Sequence, residues 1–345
     1  IINEERPDAV LISGDIYDRT VPPAEAVQLL DDFLCRLAKR QLQVFLISGN
    51  HDSAERVAFG GRLMEQSGLH ISPVYTGPVP PLPLQDEWGT VNFYLLPFIK
   101  PAHVRAAFPG EEIESYTDAL RVAISGLSLD ENTRNVLLTH QFVTGAQRSE
   151  SEEISVGGAD NVDAAVFAGF DYVALGHLHG PQWVEKETIR YCGSPLKYSF
   201  SEANQQKSVT IAELREKGNI TVRTVPLLPQ HDLRELRGSY EQITFRPFYE
   251  GTATDDYLHI TLTDEEDIPN AVARLRVIYP NLMRLDYDNQ RTRRTAHFED
   301  GPQVEQQSPL QLFSQFYEAQ NNQPMTEEQQ RFARSLMEQI WEDAD

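Results

Sequence analysis

Ala9-Val10-Leu11-Ile12-Ser13 runs into Gly14-Asp15, and Val44-Phe45-Leu46-Ile47-Ser48 runs into Gly49-Asn50-His51-Asp52. Each is a short apolar run closed by glycine and then by a side chain able to hold a metal. Such runs predict strands buried on both faces. Between them Ala24 to Arg40 places Ala26, Leu29, Leu30, Phe33, Leu34 and Leu37 at helical spacing. Strand, helix and strand predict a parallel crossover. In sheets of this kind the carboxyl ends of the strands form the ligand crevice.

Two later runs repeat the pattern. Val136-Leu137-Leu138-Thr139 leads into His140, and Tyr172-Val173-Ala174-Leu175 into Gly176-His177-Leu178-His179. In an extended chain the alternating pair His177 and His179 would turn both rings to one face. All four polar endings are therefore expected on one edge of the fold.

The chain has 345 residues, and at about 150 residues per domain it should hold two domains, or one large core with appendages. A composition 40% apolar and 9% aromatic is globular and excludes wholesale disorder. The longest apolar stretch, Val91 to Ile99, is interrupted by Asn92 and Pro97 and falls far short of the ~18 residues that span a bilayer. Cys35 and Cys192 are too few for a disulfide framework or a cysteine-based zinc site, which fits a reduced cytoplasm, and with no spanning stretch no membrane partner is expected. Thirty basic against 52 acidic residues give a net charge of −22, which opposes nonspecific affinity for nucleic acid or anionic membrane. The chain opens on Ile1, and Ile1 to Arg6 reads as the tail of a helix, so a fragment lacking its true N-terminus is expected.

Pro73 to Pro83 holds five prolines and reads as a surface loop, and Asn204 to Val225 as strands closing the first domain. From His231 the pattern is strand (Leu258 to Leu262), helix (Ile268 to Ile278) and strand (Leu282 to Tyr287). Arg291 to Gln307 is polar and reads as a linker. Ser308-Pro309 and the capping box Thr326-Glu327-Glu328-Gln329 each open a helix. The expected fold class is α/β, with layered sheets flanked by helices, a small α/β cap and a C-terminal two-helix element. Its boundaries are residues 1–228, 229–290, a linker over 291–307, and 308–345.

A two-metal centre acting on phosphate needs a bridging carboxylate, oxygen and imidazole ligands on each ion, and an acid near the leaving oxygen. Asp15, Asn50, His140, His177 and His179 supply that mixture of donors. Read singly, Gly14-Asp15 is a common turn, Asn50-His51-Asp52 a helix cap and His140 a core histidine. Together, each after a strand, they point to a metal site.

In this order the motifs are similar to those of the calcineurin-like metallophosphoesterases. Gly14-Asp15-Ile16-Tyr17-Asp18 with Pro22-Pro23, Val156-Gly157-Gly158, and Arg190-Tyr191-Cys192-Gly193-Ser194-Pro195-Leu196 before Tyr198-Ser199-Phe200 resemble the bacterial SbcD family, the nuclease subunits of SbcCD DNA-repair complexes. The resemblance implies a metallophosphoesterase fold and two Mn2+ ions, with Mg2+ as a substitute. It implies that Asp15 bridges the ions, that Asn50, His140 and His177 complete the second site, that His179 belongs to the first, and that His51 is the acid. It further implies 3′→5′ exonuclease action on duplex DNA and endonuclease action on single strands or hairpins, beside an SbcC-type coiled-coil ATPase, as a homodimer within a heterotetramer.

The family's opening Asp-x-His motif is absent from this sequence. On the resemblance the first metal therefore keeps only Asp15 and His179, and the sheet lacks a central strand. The chain as it stands is expected to hydrolyse little. Two other readings remain open: a phosphodiesterase or phosphatase for small or cyclic nucleotides, which the acidic charge favours, and a non-catalytic scaffold for an ATPase.

Arg19, Arg190 and Lys197 are candidate DNA contacts, whereas Lys100 reads as a solvated charge. Arg291, Arg293 and Arg294 form either a phosphate patch or a basic linker. The last two helices carry an aromatic stripe, and Phe313, Phe316, Phe332, Leu336 and Trp341 are candidate partner-binding residues. His70, His103, His231, His259 and His297 read as surface or structural residues. The sequence contains no glycine-rich nucleotide loop, so ATP hydrolysis would belong to a partner.

Overall fold

Phe93 and Leu95 face one side of a strand while Tyr94 and Leu96 face the other, and all four are buried. The two-residue period of a strand puts alternate side chains in different cores, so this segment must lie in the middle of a layered structure. In a computed structural model of the chain, residues 1–149, 152, 160–290, 292–293, 309–321 and 323–342 are described. Val156 to Gly158, Arg291, Arg294, His297, Ser308 and the side chains of Leu312 and Trp341 lie outside them.

The strands β1 (Ala9–Ser13), β2 (Gln43–Ile47) and β3 (Leu69–Ile71) form a parallel sheet in that order, so the expected crossover through the helix Ala24–Ala38 is present. Next come β4 (Leu82–Asp86), β5 (Gly89–Leu96) and β6 (Arg134–His140), then a short pair, β7 (Phe142–Val143) and β8 (Asn161–Val162). With β9 (Tyr172–Gly176), β10 (Gln182–Val184) and β11 (Lys186–Tyr191), the strands β4, β5 and β6 build a six-stranded sheet of order β10-β11-β9-β6-β5-β4. Its four inner strands are parallel and its outer strands antiparallel. The hairpin β12 (Ser208–Leu214) and β13 (Ile220–Pro226) follows.

The four strands read from the sequence are thus divided between two sheets, β1 and β2 in one, β6 and β9 in the other. The sheets face each other across Phe45, Ile47, Phe93, Leu95, Val136 and Leu138. The rings of Phe45 and Phe93 stack there at 4.3 Å between centroids. Tyr94, Leu96, Leu137 and Leu175 point away from that interface, into a core shared with the helices Pro101–Ala107 and Tyr116–Ser125. The helix Ala24–Ala38 covers the outer face of the small sheet through Leu34 and Leu37. Leu29, at 71% exposure, and Phe33 on the same helix remain exposed.

β1 is an edge strand of its sheet. Beside it runs a groove of about 1920 Å³, lined by β1, the six-stranded sheet and the hairpin, with Leu11, Phe93, Ala174, Ile211 and Val222 among its walls.

The chain divides into two compact units, Ile1–Leu228 and Pro229–Asp345. The second contains a parallel sheet of β14 (Leu233–Gly238), β15 (Tyr257–Leu262) and β16 (Leu282–Tyr287), whose first strand the sequence reading missed. Ile243, Leu258, Ile260, Leu262, Leu275 and Tyr279 are its core. The expected long helix there is only Ala271–Leu275. The C-terminal helices span Pro309–Asn321 and Glu327–Glu342. The capping box is formed: Gln329 Oε1 accepts from Thr326 N–H at 2.8 Å, and Thr326 Oγ1 from Gln329 N–H at 3.3 Å. Among the described residues no helix is long and apolar enough to cross a membrane.

Candidate metal centre

At the end of β1 the backbone turns through Gly14 (φ 87°) and Asp15 (φ 49°). Left-handed geometry is ordinary for glycine and tolerated by aspartate, and it brings Asp15 back over the strand end. The end of β2 meets it so closely that a Cβ on Gly49 would lie 2.1 Å from Asp15 Oδ1. At the end of β9 a Cβ on Gly176 would lie 1.7 Å from Ser13 O and 2.6 Å from His140 Nδ1. Glycine at these two positions is what lets the strand ends converge.

Four of the anticipated residues come together there. His140, fully buried, donates from Nδ1 to Ser13 O at 2.8 Å, across from one sheet to the other. That fixes its tautomer and leaves Nε2 as the lone-pair nitrogen. Nε2 faces Asn50 Oδ1 at 2.9 Å and Asp15 Oδ2 at 3.2 Å, and Asn50 Oδ1 also lies 3.0 Å from His177 Nδ1. Asp15, His140 and His177 each offer a ligand atom within 4.8 Å of the others.

Oxygen and nitrogen lone pairs converging at this distance repel unless a proton or a cation lies among them. A carboxylate, an amide oxygen and two imidazoles suit a divalent ion of the manganese or zinc type. Burial, and after it the neighbouring His140, push the His177 imidazole down to about 4, so it is neutral at pH 7 and able to coordinate. For Asp15 burial works to raise the carboxyl, and the His51 N–H bonded to Oδ1 works to lower it. The residues present therefore fit a metal.

His179 stands outside this cluster, contrary to the reading of His177 and His179 as one alternating pair. β9 ends at Gly176, and His177 has φ 106°, so the extended repeat is broken between the two rings. His179 Nδ1 instead meets Glu202 Oε1 at 2.9 Å. His51 lies in the loop after β2; its N–H donates to Asp15 Oδ1 at 3.1 Å, and its Nδ1 is 3.2 Å from Asp18 O.

The sequence reading gave Asp52 no role beyond a possible cap. Its buried carboxylate accepts three main-chain N–H bonds, from Gly49 at 2.8 Å, Tyr17 at 2.9 Å and Ile16 at 3.0 Å, and so ties the Asp15 loop to the Asn50 loop. Glu152, Glu202 and Lys207 were missed as well. Glu202 follows the Tyr198-Ser199-Phe200 run by two residues, which was the one available signal.

The three candidate DNA contacts are dispersed. Arg19 is paired with Asp18 at 3.2 Å, Arg190 lines the groove beside β1 and reaches Thr210 Oγ1 at 3.3 Å, and Lys197 Nζ donates to Ala203 O at 2.7 Å. Arg293 is turned onto Asp288 at 2.7 Å. His70 stacks on Phe45, and His259 sits between Glu235 and Asp286. His231 gathers with Asp255 and Asp256, but both Asp256 oxygens are taken, by Asp232 N–H at 2.7 Å and Arg234 Nε at 2.6 Å. A guanidinium already supplies the positive charge there. In the second unit Phe313, Phe316, Phe332 and Leu336 are exposed.

Residues 1–181 match the family model described as calcineurin-like phosphoesterase, and residues 229–321 the model described as type 5 capsule protein repressor C-terminal domain, SbcD_C. The SbcD subunit of nuclease SbcCD from Staphylococcus epidermidis (strain ATCC 12228) is 31% identical over 343 residues, covering 97% of this chain and 89% of that protein. The like-named nuclease subunit from Staphylococcus saprophyticus subsp. saprophyticus (strain ATCC 15305) is 31% identical over 343 residues, covering 98% of this chain and 89% of its own length.

Proposed function

Because this chain belongs to the SbcD family of calcineurin-like phosphoesterases, we propose that it is the nuclease subunit of an SbcCD-type complex and hydrolyses DNA phosphodiesters at a two-metal centre. The observation that carries the reading is the convergence of Asp15, Asn50, His140 and His177 at the ends of strands from two sheets. Manganese is the proposed ion, and the two free cysteines are in keeping with a cytoplasmic setting.

Metal ions bound there would activate water and stabilise charge on the phosphoryl oxygens. Asp15, Asn50, His140 and His177 would hold the second ion, and Asp15 and His179 would contribute to the first. The groove beside the edge strand β1 supports the reading that the family's Asp-x-His strand would pair there. His51, anchored through Nδ1 on the Asp18 carbonyl, would exchange a proton with the leaving oxygen through Nε2. The proposed DNA contacts are Arg19, Arg190 and Lys197, and the net charge of −22 assigns most duplex affinity to a partner.

The test is manganese-dependent cleavage of an end-labelled DNA hairpin by the chain together with any residues its gene encodes ahead of Ile1. Cleavage that disappears with chelator and with His51→Ala is expected. Turnover of a small phosphodiester without DNA cleavage would replace this reading by the small-substrate one. Inactivity on both, even with the ATPase and ATP, would leave a scaffold.

The exposed Phe313, Phe316, Phe332 and Leu336 are the proposed seat of the ATPase coiled coil. Phe316→Asp with Phe332→Asp is expected to weaken that association at least about 30-fold, as loss of a roughly 2 kcal/mol hot spot would. Pull-down titration against the ATPase measures it, and unchanged affinity would move the interface elsewhere.

A further inference from the structure

We propose that Glu202 is a positioning residue for the metal centre, its carboxylate holding the His179 ring in the Nδ1–H tautomer so that coordination falls to Nε2. The inference rests on the phosphoesterase reading, in which His179 is a ligand.

Glu202 has no exposed surface, and Lys207 is only 3% exposed. Glu202 Oε1 meets His179 Nδ1 at 2.9 Å and Oε2 accepts from Lys207 Nζ at 2.7 Å. The same ammonium has three more acceptors within hydrogen-bond reach, His179 O at 2.8 Å, Ser194 Oγ at 2.9 Å and Gln205 Oε1 at 2.7 Å, and shares its three N–H groups among the four. Glu152 Oε1, from a different segment, accepts the His179 N–H at 2.5 Å. The ring, the amide and the carbonyl of one histidine are therefore all fixed by buried groups. The loop that carries Glu202 is pressed onto the same residue, since a Cβ on Gly193 (φ 77°) would lie 2.7 Å from His179 O.

Stability alone is a weak reason for such a network. Removing two charges from water costs several kcal/mol per ion, and replacing a buried pair by apolar residues is often neutral or stabilising. The geometry supplies another reason. A carboxylate on one ring nitrogen orients a coordinating histidine and raises its basicity, and removal of such a partner lowers metal affinity about 10–100-fold.

The variant Glu202→Leu with Lys207→Met removes both charges together, and Glu202→Gln with Lys207→Met restores an oxygen that can accept from Nδ1–H. Glu202→Asp keeps the pairing charge but withdraws the carboxylate by one methylene. Histidine-selective 15N NMR of metal-free protein reads the His179 tautomer, with its signal identified by loss in His179→Gln. Calorimetry reads Mn2+ affinity, and thermal melting reports folding.

The wild-type ring is expected as Nδ1–H. The Leu/Met pair should shift it to Nε2–H and lower Mn2+ affinity about 10–100-fold while still melting cooperatively, and the Gln/Met pair should return the tautomer. If the Leu/Met pair does not fold, Glu202→Asp decides: a shifted tautomer supports the role. An unchanged Nδ1–H tautomer in the folded variant overturns it. A wild-type chain that binds no Mn2+ even with any residues its gene encodes ahead of Ile1 would instead refute the two-metal reading of the site, and the tautomer comparison would still decide the role of Glu202.

Discussion

Asp15→Asn is expected to lower Mn2+ affinity more than about 100-fold and to abolish metal-dependent cleavage, while leaving the metal-free fold as stable as before. Loss of an outer-shell partner costs about 10–100-fold, and replacing a ligand carboxylate by a neutral amide should exceed that. The apo protein has no reason to suffer. An asparagine oxygen can still accept from the His51 N–H, now 3.1 Å from Asp15 Oδ1. Its amide N–H₂ would offer a donor to the lone pair on His140 Nε2, 3.2 Å from Asp15 Oδ2. Thermal melts with and without Mn2+ separate the two effects. At 100 times Kd, a ligand that binds only the folded state adds about 2.7 kcal/mol. That metal-dependent gain should be present in the wild type and missing in Asp15→Asn. An equal gain in both would remove Asp15 from the ligand set.

Asp52→Ala should be the most damaging single change to the loops that carry the site. Three main-chain N–H groups would lose their acceptor, that of Gly49 in a buried position and those of Ile16 and Tyr17 in part-buried ones. Hydrogen bonds to a charged group contribute about 1.5–3 kcal/mol each, and buried donors left unpaired carry their own desolvation cost. A loss of at least about 3 kcal/mol is expected in urea unfolding. Mn2+ affinity should fall with it, because Asp15 and Asn50 belong to the two loops that Asp52 joins. Asp52→Asn, which keeps one carbonyl acceptor, should lie between. Wild-type unfolding of the alanine variant would show that the loops are held by other contacts.

The two cases differ in what could be read from the chain. Asp15 follows an apolar run and a glycine, and that local pattern is sufficient to mark it. Asp52 stands in the same motif as Asn50, but its partners lie 35 and 36 residues earlier as well as nearby, and main-chain donors leave no trace in residue identity. Glu202 is a stronger instance. Its bond to His179 spans 23 residues, and no periodicity links a glutamate in a short 3₁₀ turn to a histidine beyond a strand end.

The sequence by itself determined the elements whose preference is local: the four strands with polar endings, the crossover helix, the capping box at Thr326 and Gln329, and the chemistry of the residues collected at the strand ends. Tertiary structure decided that these strands divide between two sheets, and that His140 bridges them through Ser13, 127 residues away. It also decided that His177 and His179 part company. Backbone and burial preferences act over one or two turns of chain and are written in periodicity. A hydrogen bond between distant segments depends on how whole layers dock, and a single positive φ at His177 was enough to send two neighbouring rings to different partners.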